Sequence, residues 1–345
     1  MFFFFYNNIK ANSIDKLPIY EYIVRVNANE LQQLLRSEEI LKKIISVILS
    51  ACIISTLAGC SNSTKEGAQN NKQSDESKLQ VVVSFNPLKE FAQAVGKDKI
   101  EVKTVIPEGV EPHDFEPKIK DMENISKANL FVYSGFGMES WVDKTLSAID
   151  NKNLIVVDTS KGVNPIKNQG GKIQEFGQYD PHIWLSLKEA KIQTKNIKDA
   201  LVKADGKNKD FYEKNFQEFA NQLDKLFSEY KEKFKGVTNK NFVTGHAAFG
   251  YLCRDFGLIQ NSVEDVFAEG DPTPQKLKEL VELSKKNKIK IIFMEELASP
   301  RVSETLANEV GADVKKIYTI ESSEGNKNYI QSMEENLANI YNSLK

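Results

Sequence analysis

The sequence predicts an α/β protein of two lobes, each built on a mostly parallel sheet, joined by one long rigid helix. Three observations predict it. From residue 79 onward, short β-branched runs alternate with longer helical stretches, the pattern of βαβ units and parallel sheets. One stretch of 27 residues, 209–235, holds neither Gly nor Pro and divides that pattern into two halves. The full length, 345 residues, is too great for one small core and suits two.

The elements follow in order. LQVVVSF (79–85) reads as a strand and PLKEFAQAVG (87–96) as a helix stopped by Gly96. IEVKTVI (100–106) is a strand broken by Pro107 and Gly109. IKDMENISKA (119–128) is a helix, followed by the strands LFVYS (130–134) and LIVVD (154–158). Ser186 and Glu189 have capping-box spacing, so a helix starts near Leu187. In 209–235, Phe211, Phe216, Phe219, Leu223, Leu226, Phe227 and Tyr230 recur at helical spacing and predict a helix of about 40 Å. It reads as one more core helix or as a stiff strut between lobes. Strands then follow at 241–245, 289–295 and 314–319, with a helix capped at Asp271-Pro272-Thr273 between the first two. Nothing repeats at a fixed period.

Composition excludes several classes. Lys+Arg 46 against Asp+Glu 48 leaves a net charge of −2, so no basic excess argues for nucleic acid. Three Cys make no disulfide scaffold. Residues 44–59, IISVILSACIISTLAG, form an apolar run shorter than the roughly 20 residues of a membrane span. Lys42 and Lys43 precede it and small residues end it, the layout of a secretory signal. Leu57-Ala58-Gly59-Cys60 resembles the lipobox of bacterial lipoproteins, in which the Cys carries the lipid. Residues 61–78 are polar, without aromatics, and form no core; as a tether they would span about 25 Å. The expected organisation is therefore an N-terminal extension (1–40) with translation beginning at Leu41, a signal (41–59), a lipidated tether (60–78), a first lobe (79–206), a linking helix (207–236) and a second lobe (237–345).

The chain has only three His, and all lie at element junctions. His113 in GVEPHDFEP follows a strand, His182 in YDPHIWLSLKEA precedes a helix, and His246 in VTGHAAFG ends a strand. Glu295 ends the strand IIFME. In open α/β sheets the ligand crevice lies beyond the carboxyl ends of the strands, so these four groups converge there. One His alone is more often a surface or capping residue; three at such junctions are a sharper signal. Neutral imidazole suits zinc, and a Glu oxygen completes a tetrahedron. The gaps of 69, 64 and 49 residues contain no close-spaced structural pair and no HExxH, so the fold must assemble the site.

Together, the lipobox, GVEPHDFEP, DPHIWLSLKEAK, TGHAAFGYL, GDPTPQKL and FMEELASPRVSETLA resemble the metal-binding lipoproteins of ABC importers, the zinc/manganese solute-binding class, over residues 79–345. The resemblance implies a metal cleft between the lobes, with His113 and His182 from the first and His246 and Glu295 from the second. It implies delivery of Zn2+ to a membrane permease driven by a cytoplasmic ATPase, with a monomer anchored by lipid on Cys60 at the outer face of the membrane. Manganese members typically carry a carboxylate as third ligand and an Asp shortly after the Glu strand. Here those places read His246 and Ser299, which favours zinc over manganese. Glu296 adjoins Glu295, and strand alternation lets only one face the cleft; Glu295 is chosen, with Glu296 as runner-up. The His-rich loop of many zinc members has no counterpart in 164–180.

Around these residues, Asp114 and Glu116 are expected to favour the next helix N-terminus through its dipole, with a supporting role to His113 as the alternative. Trp184 and Phe115 are expected to pack around the site, Phe136 and Trp141 to fill the lobe core, and Asp180 to shape the turn into His182. Two rival functions are weighed against a receptor with slightly mobile lobes. A zinc hydrolase needs an open coordination position and a base, and no further His remains. A surface adhesin needs no intact ligand set.

Overall fold

The structure, a computed structural model, describes residues 78–168, 177–266, 272–295, 300–323 and 325–345. The expected extension, signal, Cys60 and nearly all of the tether lie outside these residues, as do Glu296, Ser299, Asp271 and the middle of the 164–180 loop. No helix among the described residues is long and apolar enough to cross a membrane.

The first half builds β1 (Leu79–Val83), α1 (Asn86–Gly96), β2 (Ile100–Thr104), α2 (Ile119–Ser126), β3 (Leu130–Tyr133), α3 (Val142–Ala148), β4 (Ile155–Asp158) and α4 (Leu187–Ala204). Its four strands are all parallel, in the order β2-β1-β3-β4. Val81, Val82 and Val83 of β1, and Leu130, Phe131 and Val132 of β3, are buried on both faces. That explains their unbroken apolar runs: parallel strands covered by helices on two sides have no polar face to show. The edge strand β2 alternates instead, burying Ile100 and exposing Glu101.

The long helix α5 (Lys209–Lys235) occupies the span its composition predicts. Beyond it come β5 (Asn241–Thr244), α6 (Gly250–Phe256), β6 (Ile259–Ser262), α7 (Pro274–Lys286), β7 (Ile291–Met294), α8 (Pro300–Val310), β8 (Asp313–Lys316) and α9 (Tyr329–Ser343). These strands are also parallel, in the order β6-β5-β7-β8. The two sheets thus share one winding although no sequence period announces it. The strand β6, IQNS, was not legible: it is short, polar and at an edge, where propensity carries little weight.

Local chemistry sets the boundaries. The Ser186 hydroxyl accepts the backbone N–H of Glu189 at 3.1 Å and starts α4 at Leu187. The Thr273 hydroxyl does the same for Lys276 at 3.2 Å, with Pro274 in the first turn of α7. At α2 it is Asp121, not Asp114 or Glu116, that serves the N-terminus, its carboxylate accepting the Lys118 N–H at 2.8 Å. Asp114 and Glu116 stand exposed in the preceding loop.

The two sheets share one apolar core. Val81, Phe91, Trp184 and Leu201 from the first half join Tyr212, Phe219, Leu223 and Phe234 of α5, and these join Phe242, Phe249, Ile291 and Leu337 of the second half. Helix α5 packs on α1, α4 and α9. It is therefore a core helix along its length, not a bare strut. Its buried stripe begins at Tyr212 and ends at Phe234, while Phe211, Phe216 and Phe227 pack on its margins. Each large side chain buried this way contributes about 1.5–3 kcal/mol from apolar transfer. Smaller clusters sit outside this core: Phe131 with Trp141 in the first half, and Val243 with Leu280 and Ile292 in the second. Trp141 thus fills lobe core as expected, and Phe136 packs on Ile183 and Tyr251.

Candidate metal centre

The carboxyl ends of the strands meet at the seam between the halves. His113 stands in the loop between β2 and α2, and His182 at the entrance of a 3-10 turn, Ile183–Leu185, that runs into α4. His246 follows β5 by two residues. The fold brings all three together. His113 Nε2 lies 3.2 Å from His182 Nε2, and His246 Nε2 lies 3.3 Å from the same atom. Those separations carry chemical meaning. In a tetrahedral site with Zn–N bonds of about 2.0–2.1 Å, neighbouring ligand atoms stand about 3.3–3.4 Å apart. Both separations from His182 match the edge length of such a tetrahedron.

The fourth group in this cluster is Glu321, in the loop between β8 and α9. One ligand atom from each of His113, His182, His246 and Glu321 lies within 4.8 Å of all the others. Glu321 Oε1 is 4.0 Å from His182 Nε2 and is buried without a hydrogen-bond partner among the described residues. Its other oxygen accepts the Thr319 hydroxyl at 2.9 Å. A buried carboxylate oxygen left unpaired costs free energy unless a cation meets it.

Glu295, the expected fourth ligand, takes a different place. It leaves the end of β7 beside β5 and therefore reaches the far side of the His246 ring. Its Oε2 lies 2.7 Å from His246 Nδ1, and the His246 backbone N–H donates to both of its oxygens at 3.1 and 3.2 Å. Asp180 does the same for His182: its Oδ1 accepts the backbone N–H and meets Nδ1, each at 2.9 Å. A carboxylate on Nδ1 fixes the ring orientation and turns the Nε2 lone pair toward an ion. Asp180 thus does more than shape the turn.

Two glycines make room for these carboxylates. A Cβ on Gly245 would sit 2.7 Å from Glu295 Oε2, and one on Gly250 would sit 2.7 Å from Asp180 Oδ2. Both belong to the TGHAAFG segment. Trp184 lies tilted against His182, with ring centroids 5.2 Å apart, and its Nε1–H donates to the Thr319 carbonyl at 2.7 Å. Trp184 therefore packs around the site as expected. Phe115 packs against the main core and lies 6.2 Å from the Trp141 ring.

The site's electrostatics follow from burial among acids. His182 and His113 are held well below the usual imidazole range, by burial first and by neighbouring imidazoles second. Burial opposes charge on His246 too, but the touching Glu295 carboxylate, with Glu321 and Glu111 nearby, outweighs it and lifts that ring to about 10. Burial, reinforced by Glu111, pushes Glu321 up to about 8. Burial pushes Asp180 up to about 7. The acidic surroundings favour a proton on His246, which an entering cation would displace.

In the sequence Glu321 is masked by the FMEE strand end, which offers a carboxylate at a more regular junction. The same rule that found the histidines applied to it: a carboxylate two residues beyond the predicted strand 314–319, in the loop before the last helix.

Three imidazoles and a carboxylate aimed at one point between two doubly wound halves define a metal-ion receptor rather than a metal-stabilised fold. Residues 81–343 match the family described as zinc-uptake complex component A, periplasmic, and the chain belongs to that family. A chain of Treponema pallidum (strain Nichols), named for metal binding alone, is 44% identical over 76% of this chain and 86% of its own. The high-affinity zinc uptake system protein ZnuA of Bacillus subtilis (strain 168) is 36% identical over 86% of this chain and 96% of its own. Among solved structures, the laminin-binding protein Lmb of Streptococcus agalactiae, described as having adhesin and metal transporting activity, superposes with a TM-score of 0.72. It is 34% identical over 78% of this chain and 100% of its own.

Proposed function

We propose that the protein is an extracytoplasmic receptor that captures Zn2+ and passes it to an ABC-type import permease. The ion is held by Nε2 of His113, His182 and His246 and by Glu321 Oε1, with Asp180 and Glu295 orienting two of the rings. Capture exchanges the waters of hydrated Zn2+ for these four atoms. The observation that carries this reading is the pair of Nε2–Nε2 separations, 3.2 and 3.3 Å. Glu321 would close the remaining gap: 4.0 Å less the ideal edge of about 3.3 Å leaves about 0.7 Å to move.

The donor set supports zinc over the harder manganese ion, since three nitrogens and one oxygen suit a borderline cation. Four protein ligands leave no open position for an activated water, which supports binding rather than hydrolysis. In the same reading, lipid on Cys60 anchors a monomer outside the membrane, a cytoplasmic ATPase drives the permease, and nucleic acid plays no part. Residues 79–206 and 237–345 are the two lobes and 207–236 the linking helix.

Competitive titration of the purified protein with zinc and manganese, beside His246→Ala, tests the proposal. The expected result is one equivalent of zinc bound in preference to manganese, with the affinity lost in the variant. Preferred manganese binding that survives the substitution rejects it.

A further inference from the structure

The four ligands are not held alike. His182 and His246 ride on segments fastened to each other through α6. The Tyr251 hydroxyl donates to the Asp180 carbonyl at 2.7 Å and accepts the Ile166 N–H at 3.1 Å. Arg254 donates to the Asn164 carbonyl at 2.7 Å and pairs with Glu189 of α4 at 2.5 Å. The Ser186 hydroxyl donates to Asp255 at 2.5 Å. His182 is fully buried and His246 is 5% exposed, so this pair forms the floor of the site.

His113 and Glu321 are tied differently. His113 is half-buried, on the loop that follows β2. That loop bonds directly to the loop carrying Glu321. The Gly109 N–H donates to the Ser322 hydroxyl at 2.8 Å, and the Ser323 N–H donates to Glu108 Oε2 at 2.5 Å. Lys89 Nζ holds the other Glu108 oxygen at 3.4 Å. Both loops are sharply bent here. Gly109 has φ +78°, free for glycine. Ile320, directly before Glu321, has φ +63°, a region β-branched residues rarely enter. Ile320 is held there by the Asn86 amide, which donates to its carbonyl at 3.3 Å.

We infer that Glu108 and Ser322 are positioning residues that latch the His113 and Glu321 loops together over the ion, and that opening this latch, not parting the sheets, releases it. The inference rests on the zinc-capture reading above. The shared core leaves the sheets little freedom to separate, whereas the latch is a few hydrogen bonds near the surface, with Glu108 half-exposed. Such bonds open locally at low cost, while the floor stays closed.

The test is stopped-flow release of zinc from the loaded protein into excess chelator. Glu108→Ala combined with Ser322→Ala is expected to speed release on the order of tenfold, two hydrogen bonds being lost. Stoichiometry should stay at one. Glu108→Gln, whose amide oxygen still accepts the Ser323 N–H, should restore a release rate near that of the unaltered protein. A double variant that releases zinc no more than about twofold faster overturns the latch, since two lost hydrogen bonds predict more. Should the double variant fold poorly, hydrogen exchange of the unaltered protein decides. The Gly109 and Ser323 amides should be better protected with zinc than without, and equal protection overturns the inference. If the unaltered protein binds no zinc at all, the capture reading fails instead, so the two failures are distinguishable.

Discussion

Glu321 Oε1 stands 4.0 Å from His182 Nε2, buried and, among the described residues, without a hydrogen-bond donor. Glu295, by contrast, is fully engaged on the opposite nitrogen of His246. One carboxylate is offered to an ion and the other to a ligand. The difference separates the two in experiment. With cobalt as a spectroscopic substitute for zinc, Glu321→Ala should change the number of protein ligands and so alter the visible spectrum. Glu295→Gln should keep the spectrum's form and weaken affinity by about 10–100-fold, the usual effect of losing an orienting partner. The same loss of intensity in both variants would contradict this division of roles.

Metal loading should release protons. His246 at about 10 and Glu321 at about 8 both carry a proton at pH 7 in the metal-free protein. Each must give it up to bind a cation, so about two protons leave per zinc near neutral pH. Titration calorimetry in buffers of different ionisation enthalpy measures this number. Zinc binding that is independent of the buffer would refute the assignment.

Stability should respond to pH in opposite directions with and without the ion. Glu139, Asp180, His246 and Glu321 all have raised values in the fold: about 7, 7, 10 and 8. A raised group favours the fold below its unfolded value and loses that contribution as pH rises through the folded one. Below about pH 6.5 the lowered His113 and His182 oppose this trend; above it the metal-free protein should therefore lose stability up to about pH 10, while deprotonated ligands strengthen the zinc form over the same range. Thermal unfolding at several pH values, with zinc and with chelator, should show a Tm gap that widens as pH rises.

Gly245→Ala should behave like a partial loss of Glu295. The added Cβ meets Glu295 Oε2 at 2.7 Å, so the carboxylate must leave the His246 ring. Zinc affinity should fall by about 10–100-fold, and His246 should lose the charge that raises it, so fewer protons are released on loading. A crystal structure of the variant with Glu295 unmoved would count against this account.

Trp184→Phe probes the seam away from the ion. It removes the donor to the Thr319 carbonyl and leaves that buried acceptor unpaired. The cost should be about 1–3 kcal/mol in denaturant unfolding.

The alternation of runs such as LQVVVSF and LFVYS carried the parallel sheets, because strands covered on both faces must be continuously apolar. The uninterrupted 209–235 carried the long helix. All three histidines were legible because each lies where a strand or turn yields to a helix. What stayed hidden depended on tertiary placement. IQNS pairs as an edge strand only because β5 offers it a partner. Whether Glu295 or Glu321 faces the ion depends on which side of the His246 ring each loop approaches, and linear spacing does not encode that. Only the folded chain shows that two carboxylates need the space left by the missing side chains of the TGHAAFG glycines.

The continuous core through α5 has a consequence for any sensor built from this chain. If release opens the loops and leaves that core intact, fluorophores fixed on the two sheets would be nearly silent to zinc. A dye pair placed on the β2–α2 and β8–α9 loops would carry the signal, and its decay would time the departure of a single ion.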